Sequence, residues 1–286
     1  MYRSYSRWLL GALLLALPAS LQAQDADLRP STLTEGVIRV CADPDNLPLS
    51  NDKQEGFENK LADLLGATWH SKVEYAWWPV RRGYFARGIN GKYCDIAMTA
   101  PEKIDMVATT KAYFRTGYVI VTRKDSGLDI KTLDDPRLKT LKIGINLLNS
   151  DAENTPPAMA LATHGVVGNL VGFPTFYSDL ARPEDIINAV ADKKIDLAMV
   201  WGPLAGYFVR QSKVPLEMVP MQDDTLTGLP MNFSISIATR RGERALRDSL
   251  QNFLNAKHSE ITALLNQYGF PLEPMPADSA SRPPSR

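Results

Sequence analysis

The sequence predicts an α/β fold of two lobes, each a mostly parallel sheet flanked by helices, joined by two hinge crossings of the chain. Short apolar runs alternate with segments of helical spacing, which is the pattern of a largely parallel sheet. The alternation starts again at Leu141, and polar, turn-rich stretches lie near 123–127 and 221–228. A single continuous sheet is the alternative architecture, but the two polar stretches favour separate lobes.

The first lobe is assigned to residues 36–123 and 228–270. Its predicted strands are 37–42, 73–77, 94–98 and 118–122, and its predicted helices are 57–65 and 83–90. Leu61, Leu64 and Leu65 fall on one face of the first helix, as in an amphipathic helix. After the second lobe, an alternating strand over 233–239 and helical spacing over 243–268, broken near 256–259, return to this lobe.

The second lobe is assigned to residues 124–227. Its predicted strands are 141–146, 170–173 and 195–200, and its predicted helices are 157–164, 183–191 and 207–211. Pro157 suits the first turn of its helix. The proline-rich tail, 271–286, is predicted to be disordered.

The amino terminus predicts export. Arg3 and Arg7 precede an apolar stretch over 8–17, and Leu21-Gln-Ala23 fits a cleavage site, so residues 1–23 are read as a signal peptide. The stretch is too short to span a bilayer, and no cysteine near the cut would carry a lipid. We therefore expect a periplasmic protein without a membrane anchor.

Composition indicates which kind of partner is disfavoured and how the two cysteines are expected to behave. Export removes two arginines, leaving thirty basic residues against 32 acidic ones, so a nucleic-acid partner is disfavoured. The two cysteines, Cys41 and Cys94, favour a disulfide in an oxidising compartment. The bridge requires neighbouring strands, and two small buried hydrophobic side chains are the alternative.

Motifs for enzymatic chemistry are missing from the sequence. It has no Gly-x-Ser-x-Gly, phosphate-loop, Gly-x-Gly-x-x-Gly or His-Glu-x-x-His pattern, and its three histidines are scattered. Asp43, Asp45 and Asn46 follow the first strand, but their spacing does not match a calcium loop. We expect no enzyme, metal or cofactor. Asp43 is expected to cap a turn and Asn46 to face a cleft.

Candidate recognition residues follow predicted strands, where open α/β sheets place ligands. The run 195–200 ends at Trp201-Gly-Pro, and a tryptophan at such a turn can face a crevice or cover a core. Arginine and aromatic side chains dominate protein-contact hot spots. The full set assigned to a ligand or partner cleft is Asp43, Asn46, Trp78, Arg81, Arg82, Tyr84, Thr99, Arg115, Asn154, Trp201 and Tyr207.

Several of these residues have a second interpretation. The aromatic and arginine cluster after the second strand can be a strand end packed under its helix, with Arg81 and Arg82 solvated. Arg115 can form a surface ion pair. Asn154 can cap the helix that follows it, while neighbouring amides hold an anion or a carbonyl.

Two segments resemble amino-acid-binding members of the type II periplasmic solute-binding fold. Gly56-Phe-Glu58 followed by Leu61 is similar to their Gly-Phe-acid segment, and Thr99-Ala-Pro-Glu-Lys103 to their Thr-Pro-Glu-Arg segment. Lys103 replaces the arginine that grips a substrate carboxylate, and Trp201 lies near the expected amine-binding acid. A lysine is not an equivalent clamp. The resemblance therefore implies the fold without the amino-acid clamp.

A more specific resemblance covers nearly all of the mature chain. Six blocks in order are similar to the quinoprotein-dehydrogenase-associated binding proteins of the XoxJ/MoxJ type: 39–48, 56–59, 78–84, 133–138, 154–158 and 201–208. Val80, Thr99 and Lys111 depart from that pattern. The resemblance implies a periplasmic accessory that assists a pyrroloquinoline-quinone-dependent methanol or alcohol dehydrogenase during maturation or activation. A transporter-coupled binding protein for a small solute is the alternative.

Overall fold

The computed structural model describes residues 34–81, 83–148, 154–175, 177–178 and 180–276. The predicted signal peptide, Arg82 and the last ten residues of the predicted tail lie outside the described residues. In the described part of the chain, no helix combines the length and apolar character needed to cross a membrane.

Strands and helices alternate along the chain as the sequence predicts. The first part contains β1 (Val37–Ala42), β2 (Asp45–Asn46), β3 (Ser50–Asn51), α1 (Phe57–Trp69), β4 (Lys72–Trp77), α2 (Tyr84–Arg87), β5 (Ile96–Pro101), β6 (Ala108–Thr109) and β7 (Phe114–Arg123). The second part contains β8 (Ile143–Leu147), α3 (Pro156–Thr163), β9 (Leu170–Pro174), α4 (Asp185–Ala191), β10 (Leu197–Trp201), α5 (Gly202–Gln211) and β11 (Leu216–Pro220). The chain then forms β12 (Asn232–Thr239), α6 (Arg244–Ala256) and α7 (His258–Gln267).

Strand β7 belongs to two groups of strands. The strand order is β4-β1-β5-β12-β7-β10-β8-β9, with β6 beside β12 and β11 beside β7. Residues 114–117 of β7 pair with β12, whereas residues 118–123 pair with β10 and β11. We call β1, β4, β5, β6 and β12 the first sheet half, and β8 to β11 the second sheet half. The change of partner lies inside β7, before the predicted crossing at 123–127, and the division into lobes stays a prediction.

Strand direction differs from the prediction next to β7. Strands β1, β4 and β5 pair in parallel, as do β8, β9 and β10. Strand β12 is antiparallel to β5 and β7, and β7 is antiparallel to β10 and β11. Each sheet half therefore keeps a run of three parallel strands, as predicted, and adds antiparallel strands next to that run. Antiparallel neighbours need no helical crossover, so they suit the places where the chain passes between the halves.

The predicted disulfide is confirmed. Cys41 and Cys94 are bonded with Cα atoms 5.3 Å apart, and both are buried. Gly88 packs directly over the bridge, because a Cβ atom there would lie 2.5 Å from the Cys41 sulfur. The bond fixes the turn after α2 to β1.

Helix α5 starts five residues earlier than predicted, at Gly202, because Pro203 suits a first helical turn. Its middle rests on the end of α7. A Cβ atom on Gly206 would lie 1.9 Å from the carbonyl oxygen of Gly269. The rings of Tyr207 and Tyr268 stack at 5.8 Å. Glycine at both positions allows this close approach.

The packed chain continues past the predicted start of the tail at Pro271. The Thr116 hydroxyl donates to the Pro271 carbonyl at 2.7 Å, and the Glu273 amide donates to the Arg115 carbonyl at 2.8 Å. A Cβ atom on Gly202 would lie 2.6 Å from Pro271. This segment is therefore held against β7 and the start of α5, which corrects the expected boundary.

Candidate functional site

A cleft lies between the carboxyl ends of strands from the two sheet halves. Strand β1 ends just before Asp43, and β10 ends at Trp201, so both loops open onto the same space. Two adjoining cavities of 280 Å³ each occupy it. They share Leu49, Val80, Tyr118 and Trp201 as lining residues. We call this space the inter-sheet cleft.

The first cavity, the apolar pocket, lies mainly against the first sheet half. Its lining residues are Leu49, Val80, Thr99, Pro101, Phe114, Tyr118, Trp201, Pro203, Phe233 and Ile235. No lysine, arginine or carboxylate is among them.

Three rings form the centre of the apolar pocket. Tyr118 and Trp201 meet edge to face at 5.3 Å, and Phe233 lies 5.9 Å from Trp201 and 6.3 Å from Tyr118. Such tilted contacts are the geometry that aromatic pairs prefer. Tyr118 is the first residue of β7 beyond the change of partner, Trp201 ends β10, and Phe233 is the second residue of β12. The rings therefore come from three successive strands of the sheet, β12, β7 and β10, where the two halves meet.

Thr99 lines the apolar pocket and contacts a buried acid outside it. Its hydroxyl donates a short hydrogen bond to Glu58. Glu58 is 5 % exposed, because the first turn of α1 packs under the chain at Leu49. The Glu58 amide donates to the Leu49 carbonyl at 2.7 Å, and a Cβ atom on Gly56 would lie 2.3 Å from the same oxygen. Burial raises the pKa of Glu58 to about 7, although hydrogen bonds from Thr99 and Ser50 oppose the rise.

The second cavity, the mixed pocket, reaches the second sheet half. Its further lining residues are Asp43, Asn46, Leu47, Pro48, Asn146, Leu148, Thr155, Thr175, Tyr177 and Leu204. Of the residues assigned from the sequence, the structure brings Asp43, Asn46, Thr99 and Trp201 together in the two pockets. Asn46 lies in the short strand β2.

Asp43 has a structural role within the mixed pocket. Its carboxylate accepts hydrogen bonds from the amides of Val80, at 2.6 Å, and Asp45, at 3.0 Å. Burial raises the pKa of Asp43, and these two bonds oppose the rise. Asp43 thus caps its own turn, as the sequence predicts, and also fixes Val80 at the cleft. Among the described residues, no group of three or more His, Cys, Asp or Glu side chains is arranged to hold a metal ion.

Asn154 links Leu148 to the start of α3 and lines neither pocket of the cleft. Its side-chain oxygen accepts hydrogen bonds from the amides of Thr155, at 2.9 Å, and Leu148, at 3.1 Å. Helix α3 then begins with Pro156 and Pro157, which have no N–H group. This helix start therefore offers few donors to an anion, contrary to one of our sequence interpretations.

The aromatic and arginine cluster after β4 lies mostly outside the cleft. Trp78 packs beside the disulfide, with the Arg87 guanidinium 6.0 Å from its ring centre. Tyr84 is 6 % exposed in the same cluster. Arg81 is exposed and lines neither pocket. Because β4 is an edge strand, the chain after it turns onto α2 and the disulfide, and Val80 reaches the cleft instead.

Two more assigned residues face elsewhere. Arg115 points toward the carboxyl-terminal segment, where its guanidinium is 3.5 Å from the Pro274 carbonyl. Tyr207 stacks on Tyr268 and borders a separate polar groove between the β2–β3 loop and α5. Lys103, at the place of the amino-acid clamp, is exposed and lines neither pocket.

Several lining residues were not selected from the sequence. Tyr118 and Phe233 lie where β7 and β12 pass between the sheet halves. Leu49 lies between β2 and β3. The sequence signal for them was the alternation of predicted strands at 118–122 and 233–239. That signal gives a strand, but it does not tell which face opens to a cleft.

A histidine outside the cleft links two segments of the second sheet half. His164, at the end of α3, has Nε2 2.9 Å from Asp224 and Nδ1 3.2 Å from Asp134. Burial by itself would raise the pKa of Asp224, but hydrogen bonds from Thr227 and His164 lower it below its ordinary value. The histidine thus holds the segment that returns to β12.

The chain is similar to bacterial solute-binding proteins. The family model described as bacterial extracellular solute-binding protein matches residues 89–271. Protein MoxJ of Methylorubrum extorquens is 29% identical over 276 residues, which are 92% of each chain.

Two solved structures share the fold and part of the sequence. MxaJ from Methlophaga aminisulfidivorans MPT is 28% identical, with a TM-score of 0.71, over 82% of this chain and 100% of that one. The periplasmic binding protein XoxJ from Methylobacterium extorquens AM1 is 33% identical, with a TM-score of 0.68, over 83% of this chain and 100% of that one. These likenesses confirm the predicted class, a type II periplasmic binding protein fold.

Proposed function

Because the chain belongs to the bacterial extracellular solute-binding proteins of the MoxJ and XoxJ type, we propose that it is a periplasmic accessory of a quinoprotein alcohol dehydrogenase. In this proposal the inter-sheet cleft holds a polypeptide segment of the enzyme during its maturation or activation. The quinone cofactor belongs to the partner, and this chain contributes binding.

The observation that carries the proposal is the lining of the cleft. Among the described residues, no charged side chain lines the apolar pocket, and the carboxylate in the mixed pocket already accepts hydrogen bonds from two backbone amides. A free amino acid carries two charges, and burying them without partners costs several kcal/mol. A polypeptide segment presents neutral backbone and side chains, so it suits this lining.

The rim of the cleft supports the same conclusion. Val80 and Leu148 line the mixed pocket together with Trp201, and they are 49% and 41% exposed. Half-buried tryptophan beside apolar side chains is typical of contact hot spots. An apolar rim around an aromatic centre fits another protein better than a small polar solute.

A periplasmic location rests on the family and on the cysteines. The buried bond between Cys41 and Cys94 fits an oxidising compartment. The predicted signal peptide would supply the export route.

The proposal is tested by capture from periplasmic extract. The protein without its predicted signal peptide, immobilised through its carboxyl terminus, should retain a quinoprotein dehydrogenase that mass spectrometry identifies. A Trp201→Ala variant should lose most of this retention. Tyr93→Ala should not, because Tyr93 is an exposed aromatic residue outside the cleft.

Two outcomes would contradict the proposal. Retention of dehydrogenase that is equal in the wild type and the Trp201 variant would exclude the cleft as the binding site. Release of a bound small solute on denaturation, with no dehydrogenase retained, would favour the transporter-coupled alternative.

A further inference from the structure

The apolar pocket is large enough for one side chain. Its 280 Å³ lies just below the range of about 300–1,000 Å³ that is usual for complete small-molecule sites. It opens into the mixed pocket through the shared residues, so a chain running along the mixed pocket can place one side chain in it.

The aromatic walls of the apolar pocket favour a bound side chain that is itself aromatic. Tyr118, Trp201 and Phe233 already meet one another at tilted angles between 60° and 74°. A further ring can extend the same edge-to-face pattern, and each such pair adds stabilisation beyond the area that it buries. A charged side chain would be desolvated there without a partner, because the described lining has no opposite charge.

The hydrogen bond of Thr99 determines which polar group the pocket offers to a bound side chain. Thr99 donates its hydroxyl proton to Glu58, so its remaining lone pairs are available as acceptors. Glu58 is buried behind Thr99 and does not line the pocket itself. The pocket therefore presents one oriented acceptor at the end of an aromatic chamber.

Resting on the proposed function, we infer that the apolar pocket takes a single tyrosine or tryptophan side chain of the bound segment, and that Thr99, oriented by Glu58, accepts its O–H or N–H. Phenylalanine has the ring without the donor. Leucine has neither. Lysine and arginine have donors but carry a charge that the pocket does not compensate.

Blocked single amino acids test this assignment directly. N-acetyl-tyrosinamide, N-acetyl-tryptophanamide, N-acetyl-phenylalaninamide and N-acetyl-leucinamide are titrated into the intact protein at about pH 8, where Glu58 is mainly ionised, and the shift of the Trp201 indole resonance is followed. The tyrosine and tryptophan probes should bind most tightly. The phenylalanine probe should bind about two- to tenfold more weakly, the effect of one net hydrogen bond.

Variants at Thr99 test whether its hydroxyl selects the bound side chain, independently of any effect on folding. Thr99→Val keeps the shape and removes the acceptor, so it should abolish the difference between the tyrosine and phenylalanine probes. Thr99→Ser should restore that difference. Thr68→Val, an exposed site on α1, is the control and should leave the difference unchanged.

The results separate this inference from the proposed function. Equal binding of the tyrosine and phenylalanine probes, or a difference that survives in Thr99→Val, would overturn the inference. Such a result beside retained dehydrogenase would leave the proposed function intact. Selective binding of the aromatic donors with no dehydrogenase captured would support the pocket assignment and reject the proposed partner.

Discussion

Replacing Glu58 by glutamine should stabilise the protein above neutral pH and remove one source of its pH dependence. Glutamine has nearly the same shape, and its carbonyl oxygen can still accept the Thr99 hydroxyl. It carries no charge, so it avoids the cost of ionising a buried group.

The magnitude follows from the pKa. Burial raises the pKa of Glu58 from its ordinary value of 4.5 to about 7. Each tenfold change in an acid constant corresponds to about 1.4 kcal/mol, so the difference amounts to about 3 kcal/mol. The folded state binds the proton more tightly than the unfolded state. The contribution of Glu58 is therefore present below about pH 4.5 and is lost as the pH rises to about 7.

Urea unfolding at several values between about pH 4.5 and pH 8 measures this contribution. The wild type should lose about 3 kcal/mol more of its free energy of unfolding over this range than Glu58→Gln does. The comparison of the two proteins isolates the contribution of Glu58, because every other titratable group is the same in both. Glu217→Gln, an exposed substitution on β11, should follow the wild type.

Parallel curves for wild type and Glu58→Gln would refute the reasoning. They would mean that Glu58 has an ordinary pKa, and hence that water reaches it behind Thr99. The orientation of the Thr99 hydroxyl would then lose its structural cause.

Three further changes have defined outcomes. His164→Gln should lower the free energy of unfolding by about 1–3 kcal/mol, because a glutamine side chain cannot reach both Asp134 and Asp224 as the imidazole does; an unchanged free energy of unfolding in urea titrations would contradict this. Gly206→Ala should cost about 1–3 kcal/mol by calorimetry, because its methyl group would collide with the end of α7, whereas Gly242→Ala, in open space, should cost much less. Replacing both cysteines by serine should cost about 2–4 kcal/mol. In the wild type, mass measurement after alkylation should show no free thiol until the protein is unfolded and reduced, and labelling of the native protein would argue against the buried bond.

The sequence predicted the secondary structure best where a local residue pattern alone determines the helix or strand. The alternation of short apolar runs with segments of helical spacing predicted the strands. Pro157 lies in the first turn of α3, as expected. Helix α5 was placed too late, because the apolar run through Trp201 continues into the helix without a break in composition. Pro203 was the signal for its earlier start.

The candidate site was harder to predict because strand order decides it. Trp78 and Tyr84 follow a strand end, as Trp201 does, but β4 lies at the edge of the sheet and β10 in its interior. Local residue patterns do not distinguish these positions. Tyr118 and Phe233 lie at the cleft because β7 and β12 pass between the sheet halves, which depends on pairings between residues far apart in the chain.

The contact between α5 and the end of α7 gives the protein a remote indicator of occupancy. Helix α5 begins at Gly202, directly after Trp201 in the cleft, and abuts Gly269 one turn later, and the segment beyond Gly269 runs along β7. Any displacement of Trp201 by an incoming ring would act on the start of α5, and the close contact of Gly206 with Gly269 would pass it on to that segment. A fluorophore attached at Met275 would thus register the filling of a chamber that it never touches.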